Sequence, residues 1–174
     1  MTAVANTTFT AAQFNQHVRD NLNETAPAKA TTAGSHFVAS GVNAISERFT
    51  DGSIVLTSEM TMSSPFTDLA TVGPLVTVDT GPNALVLTHC QLSNDGAGSA
   101  YAGVEVSGAS SIAAALNRSI SIVNSADTVI GAGTAVWYAG GLTLTPGSNT
   151  FTMKYRVSSG TGTFADRRII VVPF

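Results

Sequence analysis

Apolar and polar positions follow two different periods along this chain, and the period changes near residue 50. Before that point Phe14, Val18 and Leu22 recur every four residues. That spacing predicts a short amphipathic helix over about 11–23, with one narrow apolar stripe. Asn15, Gln16, Arg19, Asp20 and Asn23 make up its polar side. Thr10-Ala11-Ala12-Gln13 matches a capping box, with Thr10 as N-cap, and Phe9 and Phe14 occupy the hydrophobic-staple positions. Pro27 ends the helix, because the residue before a proline is pushed out of the helical region. Thr25 to Ser35 reads as a linker. Phe37, Val38 and Ile45 then flank Ser40-Gly41, which predicts a small hairpin over about 37–46.

After residue 50 the period is two. Thr150 to Val157 places Phe151, Met153, Tyr155 and Val157 on one face and Thr150, Thr152, Lys154 and Arg156 on the other. Leu142 to Thr145 precedes it across Pro146-Gly147-Ser148-Asn149, so a hairpin is expected there. Val104-Glu105-Val106 and Ile120-Ser121-Ile122 alternate as well. Asn94-Asp95-Gly96 and Asn124 to Asp127 read as turns. Leu85-Val86-Leu87 and Ile169 to Val172 are apolar on both faces, which suits the middle of a sandwich or a subunit contact. Roughly eight strands between Ser53 and Val172 predict a mainly β, jelly-roll-like β-sandwich. A tumour-necrosis-factor-like topology is an analogy at this point, since strand count does not specify strand order. No helix is expected after Arg48, although Ser111 to Leu116 has the length of one turn.

The division is therefore an N-terminal arm, 1–50, and a β-sandwich head, 51–174. A helix this short is marginal alone in water, and so is a lone hairpin. Each must bury its apolar residues on the head, on a sister subunit or on a foreign surface. The run Thr8 to Asn15, with His17-Val18-Arg19-Asp20-Asn21-Leu22, resembles the N-termini of virion structural proteins from phages of actinobacteria. Ala26 to Gly34 and the Gly-Val-Asn-Ala-Ile-Ser-Glu-Arg segment ending at Arg48 are similar to them too. More weakly, Leu142 to Val157 and Arg167 to Pro173 resemble the β-sandwich heads of such proteins.

That resemblance implies a virion component assembled in the host cytoplasm. A docking arm joined to one compact head, with no shaft, favours the outer surface of the capsid, as a decoration protein or head fibre bound to the major capsid protein. The alternative is the tail, as a minor tail or receptor-binding protein that contacts tail proteins and a host surface glycan. The anchoring residues would be Phe9, Thr10, Phe14, Val18, Leu22, Phe37, Val38 and Ile45. A homotrimer is expected, with Ile169, Ile170, Val171 and Val172 at the subunit contact or in the core.

Composition narrows the function classes. Charged residues are 11% of the 174 and the net charge is −3, against roughly a quarter charged in ordinary domains. So little charge implies surface hidden against other subunits. The 8 Lys and Arg include one adjacent pair, Arg167-Arg168, which argues against nucleic acid. The pair is expected at the start of the last strand, with one member bonded to Asp166 or to another subunit. No apolar run approaches the roughly 18 residues of a membrane helix, so no membrane insertion is expected. The N-terminus lacks the basic and apolar regions of a secretory signal. Catalytic signals are absent too: His17, His36 and His89 have no zinc spacing, and His89 and Cys90 point to opposite faces of one strand. Gly131-Ala132-Gly133 lacks the following helix a dinucleotide site needs. Trp137-Tyr138 reads as core or interface aromatics, with a sugar-stacking platform as the alternative. Neither a catalytic residue, a cofactor nor a metal is expected.

Overall fold

A computed structural model describes residues 8, 10–23, 29–123 and 129–174. The chain divides into two compact units, Met1–Glu47 and Arg48–Phe174. Phe9, Pro27 and the turn at 124–127 lie outside the described residues.

In the first unit, helix α1 runs Ala11–Asn23. Its capping box is closed in both directions. The Gln13 amide donates to Thr10 Oγ1 at 3.1 Å, and the Thr10 amide donates to Gln13 Oε1 at 3.1 Å. No acidic residue sits in the first turn and no basic one in the last, so the helix dipole is left uncompensated by side-chain charge. Strands β1 (His36–Gly41) and β2 (Ala44–Arg48) form the hairpin. Its turn is Val42-Asn43 rather than Ser40-Gly41. Asn43 takes φ 55°, a left-handed conformation that asparagine tolerates better than most residues.

The last part of the expected linker is a built turn. The Thr31 and Thr32 amides each donate to Glu47 Oε1 at 2.9 Å, and Ser35 Oγ donates to the same oxygen at 2.6 Å. The Thr31 hydroxyl donates to Glu47 Oε2. One carboxylate on β2 thus organises residues 31–35.

The second unit contains strands β3 (Asp51–Val55), β4 (Glu59–Thr61), β5 (Leu75–Thr80), β6 (Ala84–Asn94), β7 (Ser99–Gly108), β8 (Ile120–Val123), β9 (Ile130–Tyr138), β10 (Gly147–Val157) and β11 (Gly162–Pro173). One sheet has the order β5-β10-β7-β8, the other β3-β11-β6-β9 with β4 also on β11. Every pairing is antiparallel. With the short β4 set aside, the first, third, sixth and eighth strands form one sheet and the second, fourth, fifth and seventh the other, with first paired to last, second to seventh and fourth to fifth. That is the jelly-roll order, the tumour-necrosis-factor-like arrangement expected by analogy.

The core lies between the sheets. Phe151, Met153, Tyr155 and Val157 of β10 are buried there with Val104 and Val106 of β7, Val86 and Leu92 of β6, and Ile169 and Val171 of β11. The expected hairpin partner of β10 does not form. Gly140–Leu142 is a 3-10 turn, and the Leu144 amide donates to Pro82 O at 2.9 Å. Residues 143–146 carry the chain from β9 to the opposite sheet, and Leu144 is buried as a plug along the way. Ser111 to Leu116 makes no helical turn. Ile112 instead bridges Val106 through two backbone hydrogen bonds, and a 3-10 turn follows at Leu116–Arg118.

Candidate functional site

A bulge in β11 decides what the β3-β11-β6-β9 sheet shows to solvent. The register on β6 shifts between Ala165 and Arg168, and Asp166 takes φ 46°. His89 Nδ1 lies 3.1 Å from the Asp166 carbonyl oxygen, against this irregularity. Phe164 points inward. One extra residue then changes the parity, so Arg167, Ile169 and Val171 point inward while Arg168 and Ile170 point outward. The four residues expected at a subunit contact or core are split by this step. Ile169 and Val171 are core, Ile170 is exposed and Val172 is half-buried.

The register defines the outer face. One row is Gly52, Ile170, Leu87 and Ala135, and the next is Ile54, Arg168, His89 and Gly133. A third row is Val172, Leu85 and Trp137. Ile54 (48%), Ile170 (44%), Leu87 (38%) and Trp137 (52%) keep much of their area exposed. Trp137 leans on Phe174, ring centroids 5.2 Å apart. Its neighbour Tyr138 is buried on the opposite side, edge-on to Phe151 at 5.7 Å. The two adjacent rings therefore do not form one sugar-stacking platform.

Inside this sheet sits a buried charge. Arg167 is fully buried in the middle of β11, not at its start. Its charged partner is Glu59, not Asp166: Nη2 lies 3.4 Å from Glu59 Oε2 and donates to Thr57 Oγ1 at 3.0 Å. Nη1 donates to the carbonyls of Thr71 and Gly73 at 3.4 Å. The guanidinium carbon is 5.4 Å from the centroid of the Tyr155 ring, and the Tyr155 hydroxyl donates to Gly73 O at 2.9 Å. Glu59 in turn accepts from the Thr71 amide at 3.0 Å and the Thr71 hydroxyl at 2.5 Å. The Thr71 hydroxyl is the main cause that holds the Glu59 carboxyl below its ordinary range, with Arg167 adding to it. These contacts pin the connection between β3 and β5 to β11. The cluster is structural: both guanidinium NH2 groups, the Glu59 carboxylate and the Tyr155 hydroxyl are used on the chain itself, while Arg167 Nε is buried without a hydrogen-bond partner.

Burial pushes the Cys90 thiol up to about 12, so at neutral pH it is protonated and a poor nucleophile. His17 lies on α1 and His36 opens β1. Among the described residues no three His, Cys, Asp or Glu side chains cluster to hold a metal. Gly131 and Gly133 lie within β9, with no helix after them. Ser58, Gln91, Ser93 and Thr163 line a groove of about 240 Å³ with Val129 and Ala165. It lies below the usual size of a small-molecule site and contains no charged group.

The outer face of the second sheet differs. Lys154 Nζ donates to both Asp68 carboxylate oxygens at 2.8 Å and lies 3.5 Å from Glu105. Arg156 lies 5.8 Å from the Phe66 ring and 5.5 Å from the Tyr101 ring. The hydroxyls of Thr77 and Thr150 meet at 2.8 Å.

On the arm, the stripe residues Phe14 (55%), Val18 (40%) and Leu22 (60%) are exposed. Phe37, Val38 and Ile45 are half-buried in the hairpin. Sequence reasoning located the arm stripe but missed Ile54 and Leu87 as parts of one face with Ile170 and Trp137. Leu85-Val86-Leu87, apolar on both sides, was the available signal.

No protein-family profile matches this chain, and no curated protein matches it. Among solved structures, a chain from the structure of infectious bursal disease virus, Gx strain, is similar to it with a TM-score of 0.44 and 8% identity. The match covers 78% of this chain, which spans 36% of that chain's length. The jelly-roll assignment rests on strand order alone.

Proposed function

We propose that this chain is a virion structural protein on the outer surface of a phage capsid, a trimeric decoration protein or head fibre. Its arm, 1–50, holds it to neighbouring major capsid protein subunits, and its sandwich, 51–174, forms the head. The observation that carries this reading is α1. A box-capped helix of 13 residues exposes an apolar stripe that a helix of this length needs to bury. The resemblance of the arm to N-termini of actinobacterial phage structural proteins points the same way. The head supports a non-catalytic role, because its buried polar groups hold the chain together and its one conspicuous outer surface is apolar.

Copy number tests the proposal. Quantitative mass spectrometry of particles carrying this chain should find many copies, in fixed proportion to the major capsid protein. Phe14→Asp should abolish attachment, since it places a charge in the apolar contact. Particles without the protein should survive heating less well while still adsorbing to cells. A handful of copies at the tail, with purified protein competing for cells, would overturn the reading in favour of a receptor-binding tail protein.

A further inference from the structure

We infer that the free edge of β9 is a pairing edge, to which a second copy of this chain adds its own β9, antiparallel, so that two heads share one continuous sheet. The contact is twofold. It is separate from the threefold contact of the trimeric reading and goes beyond it.

β9 pairs with β6 on one side, and among the described residues no backbone hydrogen bond reaches its other side. Alternate residues of an antiparallel strand aim their N–H and C=O groups away from the partner, so β9 offers a row of free donors and acceptors. Natural sheets blunt such edges by shortness, charge, proline or a bulge. The other edges of this head follow that rule. β3 has five residues and opens on Asp51, and β4 has three and opens on Glu59. β5 follows Pro74 and carries Asp79, and β8 has four residues. β9 has nine residues, none of them charged and none proline. Its register on β6 runs unbroken from Tyr138 to Ile130. This edge carries none of the protective devices.

Free main-chain groups along an extended strand are met by another extended strand. The sequence of β9 fits its own copy. Full antiparallel overlap of the nine residues puts Thr134 opposite Thr134, Gly133 opposite Ala135, Ala132 opposite Val136 and Gly131 opposite Trp137. Even-numbered residues meet even-numbered ones and odd meet odd, so the core side of one copy continues the core side of the other. Trp137, 52% exposed, then lies across a glycine at each end of the pairing, where no opposing side chain competes with it. A threonine pair stands on the twofold axis, a favourable cross-strand pair, and with no charge on the strand no like charges face each other.

Disulfide cross-linking of the full chain tests this. In Thr134→Cys the two introduced thiols stand directly opposite, with Cα atoms about 5 Å apart, within disulfide range. Mild oxidation at micromolar concentration should give a two-chain band on a non-reducing gel. The native Cys90 is buried and does not compete. Ala132→Cys is the control, because its counterpart lies four residues along the pairing, about 14 Å away, and it should stay a single chain. Adding Ala135→Lys to Thr134→Cys puts a charge on the edge and should remove the cross-linked band while the β-sheet circular dichroism persists. Amide exchange of the wild-type chain gives a second reading. All of β9 should exchange slowly at high concentration, and every other residue should exchange faster on dilution. A folded Thr134→Cys chain that stays single, an Ala132→Cys chain that cross-links equally, or alternating exchange at every concentration overturns the inference. So does protection that arises only on particles, which assigns the edge to a strand of another protein. A failed cross-link leaves the arm's attachment to particles untouched. A cross-linked chain that fails to bind particles does the reverse: it removes the capsid reading and keeps the edge.

Discussion

The two sheets of the head invert each other. The β5-β10-β7-β8 sheet wears its charges outside, with Lys154 on Asp68 and Glu105 and Arg156 between two rings. The β3-β11-β6-β9 sheet hides Arg167 inside and turns Ile54, Ile170, Leu87 and Trp137 outward. Both share one core, so the difference is not about folding the sandwich. The β3-β11-β6-β9 sheet backs an apolar surface with a buried ion pair, in which Arg167 Nε alone of the guanidinium nitrogens has no hydrogen-bond partner.

The largest expected effect comes from the hidden charge. Glu59→Ala leaves Arg167 buried without its carboxylate, and breaking a buried pair costs about 3–5 kcal/mol. Urea unfolding should show the loss. A loss below about 1 kcal/mol would mean that the carbonyls of Thr71 and Gly73 compensate the guanidinium without Glu59. A smaller effect is expected in the arm, which belongs to neither sheet. Thr10→Ala removes the oxygen that accepts from the Gln13 amide and should destabilise α1 by about 1 kcal/mol. Helicity of α1, followed by NMR chemical shifts, checks it.

The visible charges should matter less than the hidden one. Lys154→Met removes a partly exposed ion pair, and exposed pairs contribute about 0–1 kcal/mol. If it proved as costly as Glu59→Ala, the contrast between the two sheets would collapse. The smallest effect is an acid-dependent loosening of the arm turn. The Ser35 hydroxyl above all, with Thr31 and Thr32, holds the Glu47 carboxyl down at about 2 against an ordinary 4.5. Its folded value is depressed, so its contribution is complete above 4.5 and is lost as pH falls through about 2. Amide exchange of Thr31 and Thr32 should accelerate across that window, and Glu47→Gln should flatten the dependence. Unchanged exchange down to the lowest pH would remove Glu47 as the organiser of this turn.

Much of the head was legible because it is local. The alternation of Thr150 to Val157 names its buried face before any partner strand is known. Thr10 and Gln13 announce a helix start three residues apart. The arm stripe follows from a four-residue period. By contrast, the expected hairpin across Pro146 failed because Leu144 is spent on the core and on Pro82, neither of which is adjacent in sequence. The hairpin turn was misplaced by two residues because Asn43 accepts a left-handed backbone as readily as the nearby Ser40-Gly41 suggested a turn.

By itself, then, the sequence determined a capped helix, a two-residue period and a charge-poor surface, since each depends on neighbours along the chain. Only the tertiary structure decided the jelly-roll order, because strand pairing joins segments far apart and many orders satisfy the same alternation. It alone also decided which of Ile169 to Val172 is core. All four are apolar, so composition cannot choose between the two parities. The extra residue at the Asp166 bulge does so, and in the same step it turns Arg167 inward to Glu59 and Ile170 outward to solvent.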